Sequence, residues 1–328
     1  MYVFLVNPAA RSGRGRKCWE TVRTALEEKG ISYQVFFSEG AGDMTRLAKK
    51  LTGSERDEEE VHLVVVGGDG TVNEVLQGIE DFEHTRFSYI PAGSSNDLAR
   101  ACGISGDPLE ALDHLLLEAE EHRMDVGVLH YHSAYLPAAK RASFQEVSRP
   151  DRRFLVSCGI GFDAGVCQKA MASPIKDVFN RIGLGKLTYL GIALKLLFSS
   201  GRAQASLSIE DKEGKPLKVL SFYRLMFIAC MSHPYEGGGF CFCPGADASD
   251  GKLDLCTVSD VPIWKVLLVL PTAFRGQHYR YKGVERYDAS RLRIHTSAPL
   301  WVHTDGEVTA LSDDISICCR RGYLRFYY

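Results

Sequence analysis

The residues Gly67-Gly68-Asp69-Gly70-Thr71 stand directly between a run of β-branched residues and a segment of helical spacing. A turn of that kind leaves the N–H groups of the loop and of the helix start free to bind phosphate oxygens. Glycine suits it because a Cβ would block close backbone approach and restrict φ, and Thr71 adds a hydroxyl donor. Asp69 is out of place beside phosphates unless a cation sits between them or the carboxylate orients a substrate hydroxyl. On its own the turn reads equally well as a tight connection with no ligand. A second segment, Pro91-Ala92-Gly93-Ser94-Ser95-Asn96-Asp97, repeats the arrangement, with small donors able to cap a helix or touch an anion. A third, Asn7-Pro8-Ala9-Ala10-Arg11-Ser12-Gly13-Arg14-Gly15, brings arginines whose planar forks pair with phosphate; its plain alternative is a flexible basic loop. The common nucleotide motifs (G-x-x-x-x-G-K-[ST], a G-x-G-x-x-G in a βαβ context, the protein-kinase set) are absent.

Two acidic turns lie further along. Asp247-Ala248-Ser249-Asp250-Gly251-Lys252-Leu253-Asp254 offers oxygen ligands around a glycine, which suits a hard cation and equally a hairpin capped by aspartates. Asp305-Gly306 before Glu307 is a hairpin signal, so Glu307 by itself reads as a surface acid or as a base.

The elements that must hold these residues follow from periodicity. Residues 3–6, 33–37, 63–66 and 87–90 read as strands, and 16–29, 43–51, 72–79 and a segment from 96 as helices. That alternation implies an α/β domain over 1–125 with a mostly parallel sheet. From 126 to 312 the apolar runs are short and separated by turn residues, which implies an antiparallel, sandwich-like β domain. Helical stretches interrupt it at 186–198 and 263–274, and residues 130–153 read as a long hairpin loop. Residues 313–328 form a tail that can pack back on the first domain.

At 328 residues, 45% hydrophobic and 24% charged, the chain has the composition of a soluble globular protein with two cores. A net charge of -2 argues against nucleic acid bound through bulk charge. The start of the chain reads as a strand rather than a leader, and the apolar runs at 189–198 and 266–274 are too short to span a bilayer. These features place the protein in the cytoplasm, with any membrane contact peripheral, on the inner face. The ten scattered cysteines read as free thiols; Cys241, Cys243, Cys318 and Cys319 lack the spacing of a structural zinc site.

Taken together, the Asn-Pro turn, G-G-D-G-T-V-N-E, P-A-G-S-S-N-D, the Cys158-Gly-Ile-Gly-Phe-Asp163-Ala segment, the D-G-K-L-D loop and the D-G-E turn resemble the diacylglycerol kinase catalytic-domain family, which includes sphingosine and ceramide kinases. The motifs fall in the family's order over nearly the whole chain. The resemblance implies ATP in a cleft, contacted by Asn7, Pro8, Ala9, Ala10, Arg11, Ser38, Gly68, Asp69, Gly70, Thr71, Val72, Asn73, Glu74 and Ser94. It implies Glu307 as the proton acceptor, Asp69 as a catalytic residue near the metal, and a structural Mg²⁺ held by Asp247, Asp250 and Lys252. Ser94 stands where the family has threonine, and Cys158 where it often has alanine.

A lipid substrate at a membrane surface follows from the resemblance. Leu187, Leu190, Ala193, Leu194, Leu197 and Phe198 recur at helical spacing and could line an acyl groove or simply form core. The basic residues from Arg275 to Arg293 could meet anionic headgroups or form a solvated strand pair. A sheet edge in the second domain could pair two chains as a homodimer. Two other readings compete: a kinase of a soluble metabolite such as NAD, since NAD kinases share G-G-D-G-T, and a nucleotide-binding module without catalysis.

Overall fold

The computed structural model describes residues 1–54, 60–138, 144–171 and 202–328. The segment expected as a helix over 186–198, with its candidate acyl groove, and most of the acidic loop after Ser54 lie outside the described residues. The chain forms two compact units: Met1–Val126 with Arg321–Tyr328, and Gly127–Arg320.

The first unit alternates β1 (Tyr2–Val6), α1 (Ala10–Glu28), β2 (Tyr33–Phe37), α2 (Asp43–Thr52), β3 (Val61–Gly67), α3 (Asp69–Gly78), β4 (Thr85–Pro91), α4 (Asp97–Cys102) and α5 (Pro108–Leu117). β1 pairs in parallel with β2 on one side and β3 on the other, and β3 pairs in parallel with β4. Leu63, Val64, Val65 and Val66 are wholly buried, as a strand covered on both faces requires. One face of α1 carries Trp19, Val22, Ala25 and Leu26 into a core with Phe4, Val6, Val64 and Ile90. Helix α5 was not evident from apolar spacing. It is set by chemistry: Asp107 accepts from the N–H groups of Leu109 (2.9 Å) and Glu110 (3.1 Å), and Pro108 fixes the first turn.

The second unit is antiparallel. Its main elements are β6 (Ser157–Gly161), α6 (Phe162–Met171), β7 (Ala203–Glu210), β8 (Pro216–Met231), β9 (Leu253–Ser259), α7 (Ile263–Ala273), β10 (Val284–Ala289) and β11 (Arg291–Thr304). The strand preceding β6 in number, β5 (Glu121–Tyr131), and the final strand, β12 (Glu307–Tyr327), each contribute residues to both units. β7 pairs with the first half of β8 and of β11, and β6 with the second half of each. Both long strands are thereby filled along their length, around a core of Leu207, Ile228, Leu255, Ile294, Val302 and Ile317. The segment expected as a long loop after His130 contains the paired strands Tyr135–Pro137 and Phe144–Glu146.

Two expectations need correction. Parallel pairing is confined to β1–β4 and the Arg325–Phe326 end of β12 with β4; over the described residues the strands are mixed, and antiparallel pairings are more numerous. The tail expected from residue 313 leaves the second unit only after Arg320, because Ile315, Ser316, Ile317 and Cys318 are still paired with β11.

Candidate functional site

In the first unit the three candidate phosphate loops leave the carboxyl ends of three adjacent parallel strands. The strand order 2-1-3-4 reverses direction between β1 and β3, the place where open α/β sheets bind ligands. The loop after β1 and the loop after β3 are joined there, because Asn7 Nδ2 donates to Thr71 Oγ1 (3.0 Å) while Asn7 Oδ1 accepts from Ala9 N (3.1 Å). Arg11, Ser12 and Gly13 follow with φ of 47°, 55° and 96°, three successive left-handed residues before the regular part of α1. Gly15 lies so close to this turn that a Cβ would stand 2.0 Å from Asn7 O.

The loop after β3 meets the loop after β4 backbone to backbone. A Cβ on Gly93 would lie 2.5 Å from the Cα of Gly68 and 2.7 Å from Asn96 Oδ1. Asn96 holds the second loop closed, accepting from Gly93 N (3.0 Å) and donating to Gly93 O (3.2 Å). Tyr89, buried beneath, donates to Asn96 Oδ1 (3.1 Å). Burial, with the charges of Asp69 and Asp97, pushes the Tyr89 phenol well above its usual range, so it stays a donor.

Asp69 explains its own presence. Its carboxylate accepts from Asp97 N (3.1 Å) and Leu98 N (3.4 Å), the first N–H groups of α4. The side chain expected to face a cation or a substrate hydroxyl ties two loops together by capping a helix from outside it. The remaining candidates separate by burial. Pro8, Ala9, Arg11, Ser38, Gly70 and Ser94 keep solvent access, while Ala10, Val72 and Asn73 are buried. Val72 and Asn73, expected to contact ATP, turn their side chains inward and offer a ligand no side-chain surface. Glu74 supports a neighbour, since its Oε2 accepts from Gly42 N (3.1 Å) in the loop that follows Ser38.

In the second unit Glu307 opens β12, paired with Thr304 across a two-residue turn. Asp305 and Gly306 have φ of 50° and 82°, as a type I′ hairpin demands. The turn is anchored on two sides. The Asp305 carboxylate accepts from Leu155 N (3.1 Å), Val156 N (2.9 Å) and Ser157 N (3.0 Å). His303 is wholly buried, its Nδ1 accepting from Gly306 N (3.1 Å) and its Nε2 lying 3.3 Å from Asp163 Oδ2 and 3.6 Å from Glu236 Oε1. Burial alone would lower the proton affinity of this imidazole; the carboxylates of Glu236 and Asp163 outweigh it and lift the pKa to about 9. The bond from Gly306 opposes that pull, because an imidazolium would set Nδ1–H against N–H. In this arrangement the ring's hydrogen on Nε2 faces the two carboxylates, and protonation of the ring gives up the Gly306 bond. Gly159 makes room for the cluster, as a Cβ there would fall 2.0 Å from Asp163 Oδ2.

Sequence reading gave no role to His303, Glu236 or Asp305. Only Asp305 carried a signal, as the first residue of its turn; Glu236 reaches His303 from a distant part of the chain. Replacing Asp305 with alanine should cost about 1–3 kcal/mol for the unanswered donors and about 1 kcal/mol more for a left-handed alanine. Asp305→Asn should cost clearly less, as asparagine tolerates that conformation and keeps one acceptor. Urea denaturation of both variants checks this; equal losses would mean that neither the retained acceptor nor the left-handed conformation matters at this turn.

The loop of Asp247, Asp250 and Lys252 is tied by one oxygen of each aspartate and by the lysine. Asp247 Oδ1 accepts from Ser249 N (2.9 Å) and Oγ (2.7 Å), Asp250 Oδ1 accepts from Lys252 N (2.8 Å), and Lys252 Nζ pairs with Asp288 (2.7 Å). Among the described residues no three His, Cys, Asp or Glu side chains are grouped to hold a metal. The side chains as placed do not form a Mg²⁺ site by themselves.

Comparison with known proteins adds what geometry leaves open. Residues 1–129 match the diacylglycerol kinase catalytic domain, and residues 156–318 the YegS C-terminal NAD kinase beta sandwich-like domain. The first match identifies residues 1–129 as a diacylglycerol kinase catalytic domain, and nearly the whole chain is similar to kinases of that kind. It is 26% identical over 307 residues to YtlR of Bacillus subtilis (strain 168), provisionally named a lipid kinase, covering 94% of this chain and 93% of that one. It is 22% identical to a diacylglycerol kinase of the same organism, over 92% of this chain and 88% of the relative. A crystal structure from Bacillus anthracis str. Sterne, provisionally titled a diacylglycerol kinase, has the same fold. Its TM-score is 0.70 at 19% identity, covering 100% of this chain and 96% of that one.

Proposed function

We propose that the protein is an ATP-dependent lipid kinase that transfers the γ-phosphate to the hydroxyl of a diacylglycerol-like lipid. The observation that carries the reading is the backbone contact of Gly68 with Gly93, which brings two glycine-rich strand ends together beside the start of α3. Bare backbone at a strand–helix junction suits the oxygens of a phosphate chain. The first unit then binds the donor, with Arg11, Ser38 and Ser94 as solvent-accessible side chains around it. Asp69 acts by holding the loops in register. Glu307 in the second unit accepts the proton of the lipid hydroxyl as its oxygen forms the new bond to the γ-phosphorus. The bond from that phosphorus to the bridging oxygen breaks, and ADP leaves with the electron pair.

Mg²⁺ enters the proposal as the ion that neutralises charge on the triphosphate. A second, structural ion at the loop of Asp247, Asp250 and Lys252 would need backbone carbonyls and the carboxylate oxygens not used in its turns. In that case Asp250→Ala lowers the melting temperature more in Mg²⁺ than in EDTA. Equal losses in the two buffers leave the loop a capped hairpin.

The direct test is transfer of labelled γ-phosphate by the purified protein to a panel of lipids in detergent micelles, with NAD and sugars alongside. A labelled lipid supports the reading and identifies the acceptor. Label on NAD or a sugar overturns it in favour of a soluble acceptor. Label on nothing, with ATP bound, makes the protein a nucleotide-binding module.

A further inference from the structure

Helix α7 is apolar on both faces, and among the described residues only one of them packs into a core. Val266, Val269 and Ala273 are buried; Val266 and Val269 pack with Phe227, Val258 and Val284. The opposite stripe, Trp264, Leu267, Leu268, Pro271 and Phe274, has the spacing of a single helical face and is exposed. Trp264 is 65%, Leu268 60% and Phe274 51% accessible, values usual for lysine and rare for such side chains grouped on one turn after another.

Charge gives this stripe a direction. Lys265 and Lys282 meet at the first turn, Lys265 Nζ lying 3.4 Å from Lys282 O, and Arg275 and Arg280 follow the last turn. None of these four makes an ion pair among the described residues. The rest of the basic stretch is spoken for: Arg286 pairs with Asp254, Arg291 with Glu210 and Arg293 with Asp314. Between Asp260 and Glu285 the chain contains no acid. At the start of the helix the adjoining strand adds Tyr223, 75% accessible, and Arg224, whose carbonyl accepts from Asp260 N (3.1 Å).

We propose that the outer face of α7, with its rim of Lys265, Arg275, Arg280 and Lys282, docks the protein on an anionic lipid surface. The indole and leucines enter the boundary between headgroups and acyl chains while the unpaired cations meet the headgroups. A short helix of this kind can lie in the interface plane with its apolar face among the acyl chains. The proposal rests on the lipid-kinase reading for its purpose and not for its test.

The experiment is co-sedimentation of the full-length protein with vesicles of phosphatidylcholine alone or mixed with phosphatidylglycerol, at low and high salt. Binding to the anionic vesicles, a blue shift of Trp264 emission there and loss of both at high salt are the expected results. The double variant Trp264→Ser/Leu268→Ser and the reversal Arg275→Glu/Lys282→Glu should each weaken binding by about tenfold or more, with melting temperatures near the parent's. Activity on a short-chain diacylglycerol below its micelle concentration should not change. Absence of binding to either vesicle, equal binding to both, or parental binding by the double variant would overturn the proposal. So would a parent dimer that Trp264→Ser dissolves, which would make the stripe a contact between two copies. If phosphoryl transfer to lipid fails while anionic vesicles still bind, the function is wrong and the surface stands.

Discussion

Glutamine in place of Glu307 should lower phosphoryl transfer by about 10²–10⁴-fold, the contribution of one positioned base, while ATP affinity stays at the parental value. The substitution removes the ability to take a proton and keeps the size of the side chain. The turn that presents it is held through its neighbours. Asp305 holds three backbone donors, and His303 holds Gly306. Loss of turnover with unchanged ATP binding, read by calorimetry beside steady-state rates, is therefore loss of a base and not of a site. Parental turnover in Glu307→Gln would remove this residue from the mechanism and leave it as the hairpin acid that its turn alone would suggest.

Gly93→Ala should have the second largest effect, and on a different quantity. The new methyl would meet the Cα of Gly68 at 2.5 Å, and neither backbone has a flexible end to move. Relief must come from separating the two loops, at a cost of about 1–3 kcal/mol in stability. Those loops are the proposed triphosphate cradle, so ATP affinity should fall by about tenfold or more, the equivalent of about 1.4 kcal/mol. Gly106→Ala serves as the control, because a Cβ there meets nothing within 4 Å. If Gly93→Ala bound ATP as the parent does, the contact of Gly68 with Gly93 would be packing and the nucleotide would have to lie elsewhere.

What was legible in the sequence depended on how far apart the cooperating residues are. The first-unit strands could be read from short runs, because burial on both faces writes itself as consecutive Val and Leu at 63–66. The glycine turns were legible for a similar local reason. The hydrogen bonds of Asp69 were not, because they go to the N–H groups of Asp97 and Leu98, 28 and 29 residues away, and backbone donors have no letter in the sequence. The same holds for His303, whose meaning comes from Asp163 and Glu236, each on a different element. The burial of Val72 and Asn73 was not legible either. They sit inside a motif that suggests ligand contact, yet the pitch of α3 turns them into the core. The antiparallel strands of the second unit followed from turn residues and alternation, but the point at which the chain leaves that unit did not. Pairing through Cys318 has no local marker.

The first unit is assembled from the beginning and the end of this chain. Its edge strand β4 finds its neighbour in Arg325 and Phe326, and Phe326 is fully buried with its ring 5.5 Å from that of Phe87. During synthesis, which proceeds from the amino end at about 5–20 residues per second, β4 must wait for the whole of the second unit before that neighbour emerges. For that interval the first unit has an open, apolar sheet edge, the kind that recruits foreign strands. Loss of Arg325 and Phe326 alone would leave that edge bare for good, in the unit whose first strand starts at Tyr2.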